Sequence, residues 1–193
     1  MSAVSIAVFA SGTGSNLRNL YAAQQAGEIA PGYLSLVISD KPDSKAVAFA
    51  REVGLPVFAI DHKEAGGRSV WERMVIRELH KHHVTLVVLA GYMRLVGLAL
   101  LESYQGRMIN LHPSLLPAFK GLDAIGQAFE AKVAETGVSV HYVTADLDGG
   151  PLIAQKRVPI LPEDTIETLT HRIHEAEHEI LPKVVRMLCQ IHP

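Results

Sequence analysis

The stretch that decides the fold is Ser5-Ile6-Ala7-Val8-Phe9-Ala10, which runs directly into Ser11-Gly12-Thr13-Gly14-Ser15-Asn16. All residues from Ile6 to Ala10 are apolar, which predicts a strand buried on both faces of a sheet. The two glycines permit a tight turn, and the residues from Asn16 to Ala26 then have the pattern of a helix. A buried strand, a glycine turn and a helix in this order favour an α/β domain.

Short apolar runs alternate with longer amphipathic runs along the rest of the chain. The predicted strands cover residues 34–39, 57–60, 86–90, 107–111, 138–143 and 153–158, and the predicted helices cover 46–53, 68–82, 127–134 and about 165–191. This order predicts a doubly wound, mostly parallel sheet with helices on both faces. The last two strands have no long helix between them, so the edge of the sheet can be antiparallel or mixed. Pro182 is expected to kink or end the last helix.

Length and composition narrow the class of protein. The 193 residues fit a single domain over 1–193, and 48% of them are hydrophobic, enough for a sizeable core. The formal net charge of −2 excludes an overall basic field for nucleic acid. Cys189 is the only cysteine, which excludes an internal disulfide and suits a reducing compartment. The first residues lack a leader pattern and no apolar run is long enough to cross a membrane, so we expect a soluble cytoplasmic protein.

The glycine turn predicts an anion site at the start of the first helix. Glycines let an anion approach the backbone, and a helix start offers free N–H groups and the positive end of its dipole. The turn lacks the third glycine of the dinucleotide fingerprint, and no Gly-Lys-Ser/Thr follows as in a P-loop, so a monophosphate is the ligand that fits. The alternative is an ordinary strand-to-helix turn capped by Ser15 or Asn16.

Asn110 and His112 stand two residues apart in Ile109-Asn110-Leu111-His112-Pro113-Ser114-Leu115-Leu116-Pro117. In a strand, residues i and i+2 point to the same face, and Pro113 favours extended geometry for His112 at the strand exit. An amide can stabilise an oxyanion, and an imidazole can move a proton near pH 7. The pair therefore suits a reaction through a tetrahedral oxyanion at the carboxyl end of a strand. An ordinary polar pair at a strand edge is the alternative.

A third polar feature, Asp146-Leu147-Asp148-Gly149-Gly150-Pro151, follows the predicted strand 138–143. Its glycines predict a tight turn that would carry Asp148 into the same cleft. A carboxylate beside His112 would favour the imidazolium, fix the orientation of the ring or activate a water. The alternative is a plain Asp-Gly turn, which is common.

The glycine turn with Leu17 after it, the motif from Asn110 to Pro117 and the turn from Asp148 to Pro151 follow one another along the chain. Together they resemble the sequence pattern of the folate-dependent formyltransferases. The resemblance covers essentially the whole chain and includes Ala90-Gly91-Tyr92-Met93-Arg94 and Arg172-Ile173-His174-Glu175-Ala176-Glu177-His178. The Asn-x-His-Pro-Ser-Leu-Leu-Pro motif is specific to this group and to related formyl hydrolases, and Gly-x-Gly-Ser-Asn-Leu points within it to the ribonucleotide enzyme. The resemblance implies a Rossmann-like fold and formyl transfer from 10-formyltetrahydrofolate to the amine of glycinamide ribonucleotide, with no metal.

The resemblance also implies roles for individual residues. The catalytic trio would be Asn110, His112 and Asp148. The ribonucleotide would be bound by Gly14, Ser15, Asn16, His174, Glu175, Ala176 and Glu177. The folate would be bound by Arg68, Met93, Arg94, Leu95, Val96, Asn110, Thr144, Ala145, Asp146, Leu147 and Asp148. The half of the chain before about residue 100 would bind the nucleotide phosphate, and the half from about 101 would bind folate and carry catalysis. The chain would act on these small molecules as a monomer or homodimer, without nucleic acid or membrane partners.

The chain departs from the family pattern after Pro117, where many members have an aromatic residue followed by proline and glycine. Here the residues are Phe119-Lys120-Gly121-Leu122-Asp123, and some relatives have a histidine near Asp123. The contacts of this loop are therefore left open. The position of His174 also varies within the family.

Several histidines invite a metal-site interpretation that their patterns do not favour. The histidines among residues 80–83 lie at the predicted end of a helix, where the helix dipole favours cations. No carboxylate or cysteine beside them completes a metal-ligand set. His174 and His178 share a helix face but lack the His-Glu-x-x-His spacing. His141 alternates with apolar neighbours on a strand, which favours a structural place or one at the cleft edge over a catalytic one.

Other functions compete with this interpretation. A formyltetrahydrofolate hydrolase usually has an additional N-terminal regulatory domain. A methionyl-tRNA formyltransferase needs a basic C-terminal domain. We expect neither domain in the 193 residues. A sugar-nucleotide formyltransferase stays open. A catalytically silent folate- or nucleotide-binding module would keep the glycine turn but need not keep the trio. A dehydrogenase is disfavoured by the missing third glycine.

Overall fold

The computed structural model describes residues 3–191 and has a seven-stranded sheet at its centre. The strands are β1 (Val4–Phe9), β2 (Gly32–Ser39), β3 (Val57–Ala59), β4 (Leu86–Leu89), β5 (Met108–His112), β6 (Glu135–Tyr142) and β7 (Leu152–Pro159). Their spatial order is β3-β2-β1-β4-β5-β6-β7. The expectations about a leader and about the ends of the domain fall in part on Met1, Ser2, His192 and Pro193, which lie outside the described residues.

The strands from β3 to β5 in this order are parallel, because β1 pairs in parallel with β2 and β4, β2 with β3, and β4 with β5. The last two strands are antiparallel, β6 to β5 and β7 to β6. The predicted mostly parallel sheet with an antiparallel edge is therefore confirmed. From β1 the chain proceeds first to β2 on one side and later to β4 on the other. The carboxyl ends of β1 and β4 therefore form the switch point where such sheets bind ligands.

Within the described range the helices are α1 (Ser15–Gln25), α2 (Lys45–Glu52), α3 (Arg68–Lys81), α4 (Leu98–Ser103), α5 (Ala124–Glu130) and α6 (Ile166–Ile191). The short α4 was not predicted, because six residues are too few to show a helical period. The predicted helix 127–134 is wrong at both ends. Asp123 starts α5 earlier by accepting the Gly126 N–H at 3.3 Å, and β6 already begins at Glu135. None of these helices has the length and apolarity that crossing a membrane requires.

Strand β1 separates two apolar cores, which is why its side chains are buried on both faces. Ile6 and Val8 belong to the core formed with α1, α2 and α6. Ala7 and Phe9 belong to the core formed with α3 and α4. All four residues are fully buried. Because successive side chains of a strand point to opposite faces, helices must cover both sides of this sheet, as predicted.

Pro182 lies within α6, which continues through it to Ile191, so this proline does not end the helix. A proline has no N–H to donate to the carbonyl four residues earlier, which here is that of His178. That carbonyl instead accepts a hydrogen bond from Asn19 Nδ2 of α1 at 2.8 Å. Asn19 thus supplies the donor that Pro182 lacks and ties α1 to α6.

Replacing Asn19 by alanine is expected to lower the free energy of unfolding by about 1 kcal/mol, because the His178 carbonyl loses its donor. The loss should be smaller in a Pro182→Ala background, where the new N–H can bond to the same carbonyl. Urea unfolding of the two single variants and the double variant measures this difference. An equal cost of Asn19→Ala in both backgrounds would show that the two residues are not linked through this carbonyl.

Candidate active site

The candidate active site lies at the carboxyl ends of the parallel strands. Asn110 and His112 lie on β5, two residues apart and on the same face, and His112 is the last residue of the strand. The antiparallel partner β6 places His141 opposite Asn110. The turn between β6 and β7 brings Asp148 to these side chains. The residues predicted as the catalytic trio therefore meet in one place, with His141 among them.

Asp148 lies at the centre of this group. Its Oδ2 is 3.6 Å from His112 Nδ1 and accepts the Gly121 N–H at 2.8 Å. Its Oδ1 is 3.6 Å from His141 Nε2 and 3.5 Å from Asn110 Nδ2. The side chains of Asp148 and both histidines are each less than a tenth exposed. One buried carboxylate thus faces two imidazoles, a side-chain amide and a backbone N–H.

The contacts of His112 indicate where its ring carries hydrogen. Its Nε2 lies 2.8 Å from the carbonyl oxygen of Phe119, and a carbonyl only accepts, so Nε2 carries a hydrogen and donates it. Its Nδ1 faces the carboxylate of Asp148, to which a second ring hydrogen would be donated. His112 is therefore placed to act as an acid whose charged form is paired with Asp148.

His141 orients the amide of Asn110. Its Nδ1 lies 2.9 Å from the Tyr142 carbonyl oxygen, to which it donates. In the neutral ring Nε2 then holds a lone pair, which accepts from Asn110 Nδ2 at 3.2 Å. The amide nitrogen of Asn110 is thereby fixed toward the centre of the group, where an amide donor can meet a negative oxygen.

The pKa of the Asp148 carboxyl lies below its ordinary value. Burial alone would raise this pKa, but the adjacent His141 imidazole, the hydrogen bond from the Gly121 N–H and the charge of His112 outweigh burial. Asp148 is therefore ionised at neutral pH. Its backbone lies in the left-handed region, with φ of 47°, a conformation that the surrounding turn must hold. In that turn a Cβ at Gly150 would collide with the Tyr142 carbonyl, so only glycine fits.

The loop after Pro117, where the sequence departs from the family pattern, contributes backbone groups to the site. Phe119 provides the carbonyl that His112 contacts, and Gly121 provides the N–H that Asp148 accepts. These contacts use main-chain atoms. The loop can therefore support the site with side chains that differ from the family pattern.

The glycine turn lies at the switch point, directly after β1. Gly14 is the N-cap of α1 in the left-handed conformation, with φ of 75°, and a Cβ there would lie 2.8 Å from Ala46 Cα. No side chain forms a capping hydrogen bond at the start of α1, so the alternative of a cap by Ser15 or Asn16 is wrong. The first N–H groups of α1 are therefore open to an anion.

Helix α6 brings a carboxylate to the glycine turn. Glu177 Oε2 accepts a hydrogen bond from Asn16 Nδ2 at 2.9 Å, and only 7% of each residue is exposed. Asn16 Oδ1 is buried without a hydrogen-bond partner among the described residues. Burial raises the pKa of Glu177, although the Asn16 hydrogen bond and the charge of His174 act in the opposite direction. Ala176 is buried, and His174 and Glu175 are exposed on the same helix.

The residues predicted to bind folate lie on separate segments that partly converge. Arg68 of α3, Val96 of the segment after β4 and Ala145 of the β6–β7 turn line one cavity of about 600 Å³. The segment after β4 presents apolar side chains to solvent, with Met93 63% and Leu95 62% exposed. The remaining members of the predicted folate set outside the trio are also exposed: Arg94, Thr144, Asp146 and Leu147.

His141, the Phe119 carbonyl and the Gly121 N–H belong to the site but were not assigned to it from the sequence. His141 was interpreted as structural or as lying at the cleft edge, and it is 2% exposed inside the group. A histidine among the apolar residues of a buried strand is the one signal that pointed to it. Its contact with Asn110 depends on the register between β5 and β6, which a long connection separates. Within residues 3–191, no group of three or more His, Cys, Asp or Glu side chains is placed to hold a metal ion.

Comparisons with known proteins agree with this fold. A family model described as formyl transferase matches residues 4–185. A phosphoribosylglycinamide formyltransferase of Bacillus subtilis (strain 168) is 45% identical over 94% of this chain and 93% of that protein. The crystal structure of glycinamide ribonucleotide transformylase 1 from Geobacillus kaustophilus is 45% identical over 97% of this chain and 100% of that chain, with a TM-score of 0.95. The trifunctional purine biosynthetic protein adenosine-3 of Drosophila melanogaster is 41% identical over 95% of this chain, which spans 14% of that protein.

Replacing Asp148 by asparagine is expected to lower the free energy of unfolding at neutral pH by about 1–3 kcal/mol, the range for a hydrogen-bonded charged group. Because the folded pKa lies below the ordinary value of 3.8, the ionised carboxylate stabilises the fold fully above that value. This contribution is lost as the pH falls through the folded pKa. The stability gap between parent and variant should therefore close in acid, which denaturant titrations at a series of pH values measure.

Asp146→Asn is the matched control, since Asp146 lies in the same turn with an exposed side chain. Its stability should follow that of the parent at every pH. A gap between the parent and Asp148→Asn that widened toward acid would contradict the direction assigned to the pKa of Asp148.

Proposed function

The chain belongs to the formyl transferase family, and we propose that it transfers the formyl group of 10-formyltetrahydrofolate to the amine of glycinamide ribonucleotide in purine biosynthesis. The observation that carries this proposal is the near full-length similarity, at 45% identity, to a protein named phosphoribosylglycinamide formyltransferase. The geometry supports it, because an amide, an imidazole and a carboxylate meet where sheets of this topology bind ligands.

The reaction begins when the substrate amine, in its neutral form, attacks the formyl carbon and creates a tetrahedral intermediate with a negative oxygen. Asn110 and protonated His112 stabilise this oxygen as hydrogen-bond donors. The amide of Asn110 has two hydrogens, and one of them goes to His141. The second faces Asp148 Oδ1, with 3.5 Å between Nδ2 and the oxygen, and must turn from this long contact to the substrate oxygen. The His112 Nε2 hydrogen, which the Phe119 carbonyl accepts in this structure, must be shared with the oxyanion or released to it.

Collapse of the intermediate breaks the bond between the formyl carbon and the folate nitrogen, which leaves with a proton. The attacking amine loses a proton in the same sequence. Asp148 is ionised and faces His112, so it pairs with the imidazolium and orients a water that relays the proton. No covalent bond forms between enzyme and substrate, and no metal ion takes part in this scheme.

The two substrates bind to the segments described above. The phosphate of the ribonucleotide binds the open N–H groups at the start of α1, and Glu177 accepts hydrogen bonds from the ribose hydroxyls. The residues of this site are Gly14, Ser15, Asn16, His174, Glu175, Ala176 and Glu177. The folate lies along Arg68, the segment Met93 to Val96, and the turn from Thr144 to Asp148, with Asn110 at the formyl group.

We also infer that the protein works as one domain on small molecules in the cytoplasm, as a monomer or homodimer. One sheet joins the two predicted halves, since β4 of the first half pairs with β5 of the second. The buried Cys189 suits a reducing compartment. The net charge of −2 gives no general attraction for nucleic acid.

Incubation of the pure protein with glycinamide ribonucleotide and 10-formyltetrahydrofolate, with the release of tetrahydrofolate followed over time, tests the function. We expect turnover that requires both substrates. Formate release without the ribonucleotide would indicate a hydrolase, and turnover with a sugar nucleotide a different transferase. Saturable folate binding without any transfer would indicate a binding module. Absence of product above background would refute the proposal.

His112→Ala and Asp148→Ala are each expected to lower kcat by about 10²–10⁴-fold, because each removes a group that acts on the proton or the oxyanion. The KM values should change far less, since neither side chain provides the main contacts to phosphate or folate. Steady-state kinetics with both substrates measures this split. His80→Ala, at an exposed position on α3, is the control and should behave as the parent. Parent-like turnover of either site variant would remove that residue from the catalytic role.

Glu177→Gln is expected to raise the KM for glycinamide ribonucleotide about tenfold, because a charged acceptor of ribose hydrogen bonds is lost. The pKa of Glu177 is raised by burial, so the parent should also bind the ribonucleotide less well as the pH falls toward that raised pKa. The variant should lack this component, while the titration of the substrate phosphate affects both proteins alike. Measuring KM across the pH range for parent and variant separates the contribution of Glu177 from that of the substrate phosphate. Identical pH profiles would show that ionised Glu177 does not contact the ribonucleotide.

A further inference from the structure

The segment after β4, residues 91–97, is held in place from outside although it is neither helix nor strand. It exposes Met93 and Leu95 to solvent, and of its apolar side chains Tyr92 and Val96 are the ones that pack against the core, Tyr92 on Phe9 and Trp71. Two buried carboxylates from other elements also contact it, Asp40 directly after β2 and Glu72 on α3. A segment without helix or strand hydrogen bonds needs such polar contacts, beside its apolar ones, to hold a single conformation.

Asp40 is 1% exposed and connects the glycine turn to the segment. Its Oδ1 accepts the Ser11 hydroxyl at 2.5 Å, and its Oδ2 accepts Arg94 Nε at 2.9 Å. The Ser11 N–H also donates to the Gly91 carbonyl at 3.2 Å. Burial alone would raise the pKa of Asp40, but the bonds from Ser11 and Arg94 outweigh burial and hold this pKa below its ordinary value. Asp40 therefore remains charged, and its pairing with Arg94 requires the segment to stay close to the glycine turn.

Glu72 is 6% exposed and holds the other end of the segment. Its Oε1 accepts the Gly97 N–H at 2.7 Å and lies 3.2 Å from Arg68 Nε. The contact is so close that a Cβ at Gly97 would collide with the carboxylate. Glu72 thus fixes both Arg68 and the start of α4, which line the same cavity of about 600 Å³.

We propose that Asp40 and Glu72 are positioning residues that fix the segment 91–97 in the conformation that receives the folate. The inference rests on the proposed function, because it assumes that the segment binds the formyl donor. Neither carboxylate needs to touch a substrate. Each acts through a group on the segment, Asp40 through the Arg94 side chain and Glu72 through the Gly97 N–H.

Asp40 and Glu72 should differ in their effect on binding of the ribonucleotide. Asp40 also accepts the hydroxyl of Ser11, which begins the turn proposed to bind the phosphate. Glu72 has no contact with that turn among the described residues. Loss of the charge at Asp40 is therefore expected to weaken the binding of both substrates. Loss of the charge at Glu72 should weaken the binding of folate alone. Pre-organisation lowers the cost of binding, so its loss appears mainly in KM.

The test compares steady-state kinetics of the full chain with Asp40→Asn, Glu72→Gln and the control Asp164→Asn. Asp164 is also a buried carboxylate paired with an arginine, Arg172, and it lies before α6 outside the proposed binding segments. We expect the KM for 10-formyltetrahydrofolate to rise about tenfold in Asp40→Asn and in Glu72→Gln, with kcat changed less than threefold. Only Asp40→Asn should also raise the KM for the ribonucleotide. The control should retain both parent KM values.

A double variant, Asp40→Asn with Arg94→Lys, separates positioning from loss of general stability. If the two side chains act through one contact, Arg94→Lys raises the folate KM less in the Asp40→Asn background than it does in the parent. Urea unfolding checks that all variants are folded at the assay temperature. Unchanged folate KM values in folded Asp40→Asn and Glu72→Gln, beside an active parent, would overturn the positioning role alone. An inactive parent would instead overturn the proposed function.

Discussion

A buried carboxylate must be surrounded by donors, and the site at the carboxyl edge of the sheet is arranged around one such group, Asp148. Its side chain is 7% exposed, and an isolated charge in such a place would cost several kcal/mol. The Gly121 N–H, the Asn110 amide and the His112 imidazole reduce this cost because each can donate to it. The same contacts fix these groups relative to one another. The requirement to satisfy one charge therefore determines the geometry that the proposed chemistry uses.

This requirement also explains which parts of the site depend on side chains and which do not. The loop after Pro117 contributes the Phe119 carbonyl and the Gly121 N–H, which any sequence able to follow the same backbone path can supply. Its departure from the family pattern is therefore compatible with an intact site. At Asn110, His112 and Asp148 the contacts, and the chemistry proposed for them, depend on the side chains themselves. Gly14 and Gly150 are fixed for a different reason, since a Cβ at either position would meet neighbouring atoms.

The sequence predicted the sheet because β1 has an unambiguous pattern, with apolar side chains required by cores on both faces. It predicted the trio because a motif carries Asn110 and His112 on one strand. It failed where the outcome depends on distant parts of the chain. Pro182 was expected to kink or end α6, and it does not end the helix. The carbonyl that it frees is satisfied by Asn19, which lies on another helix. The role of His141 depends in the same way on the register of β6 against β5.

Buried acids recur along this edge of the sheet, and each holds a group that belongs to another element. Asp40 holds Ser11 and Arg94, Glu72 holds Gly97, and Glu177 holds Asn16. In a parallel α/β sheet the helix N-termini gather at the carboxyl edge, and their dipoles make this edge favourable for negative charge. The same dipoles attract a phosphate to this edge. A chain with a net charge of −2 can bind an anionic substrate in this way without a basic surface.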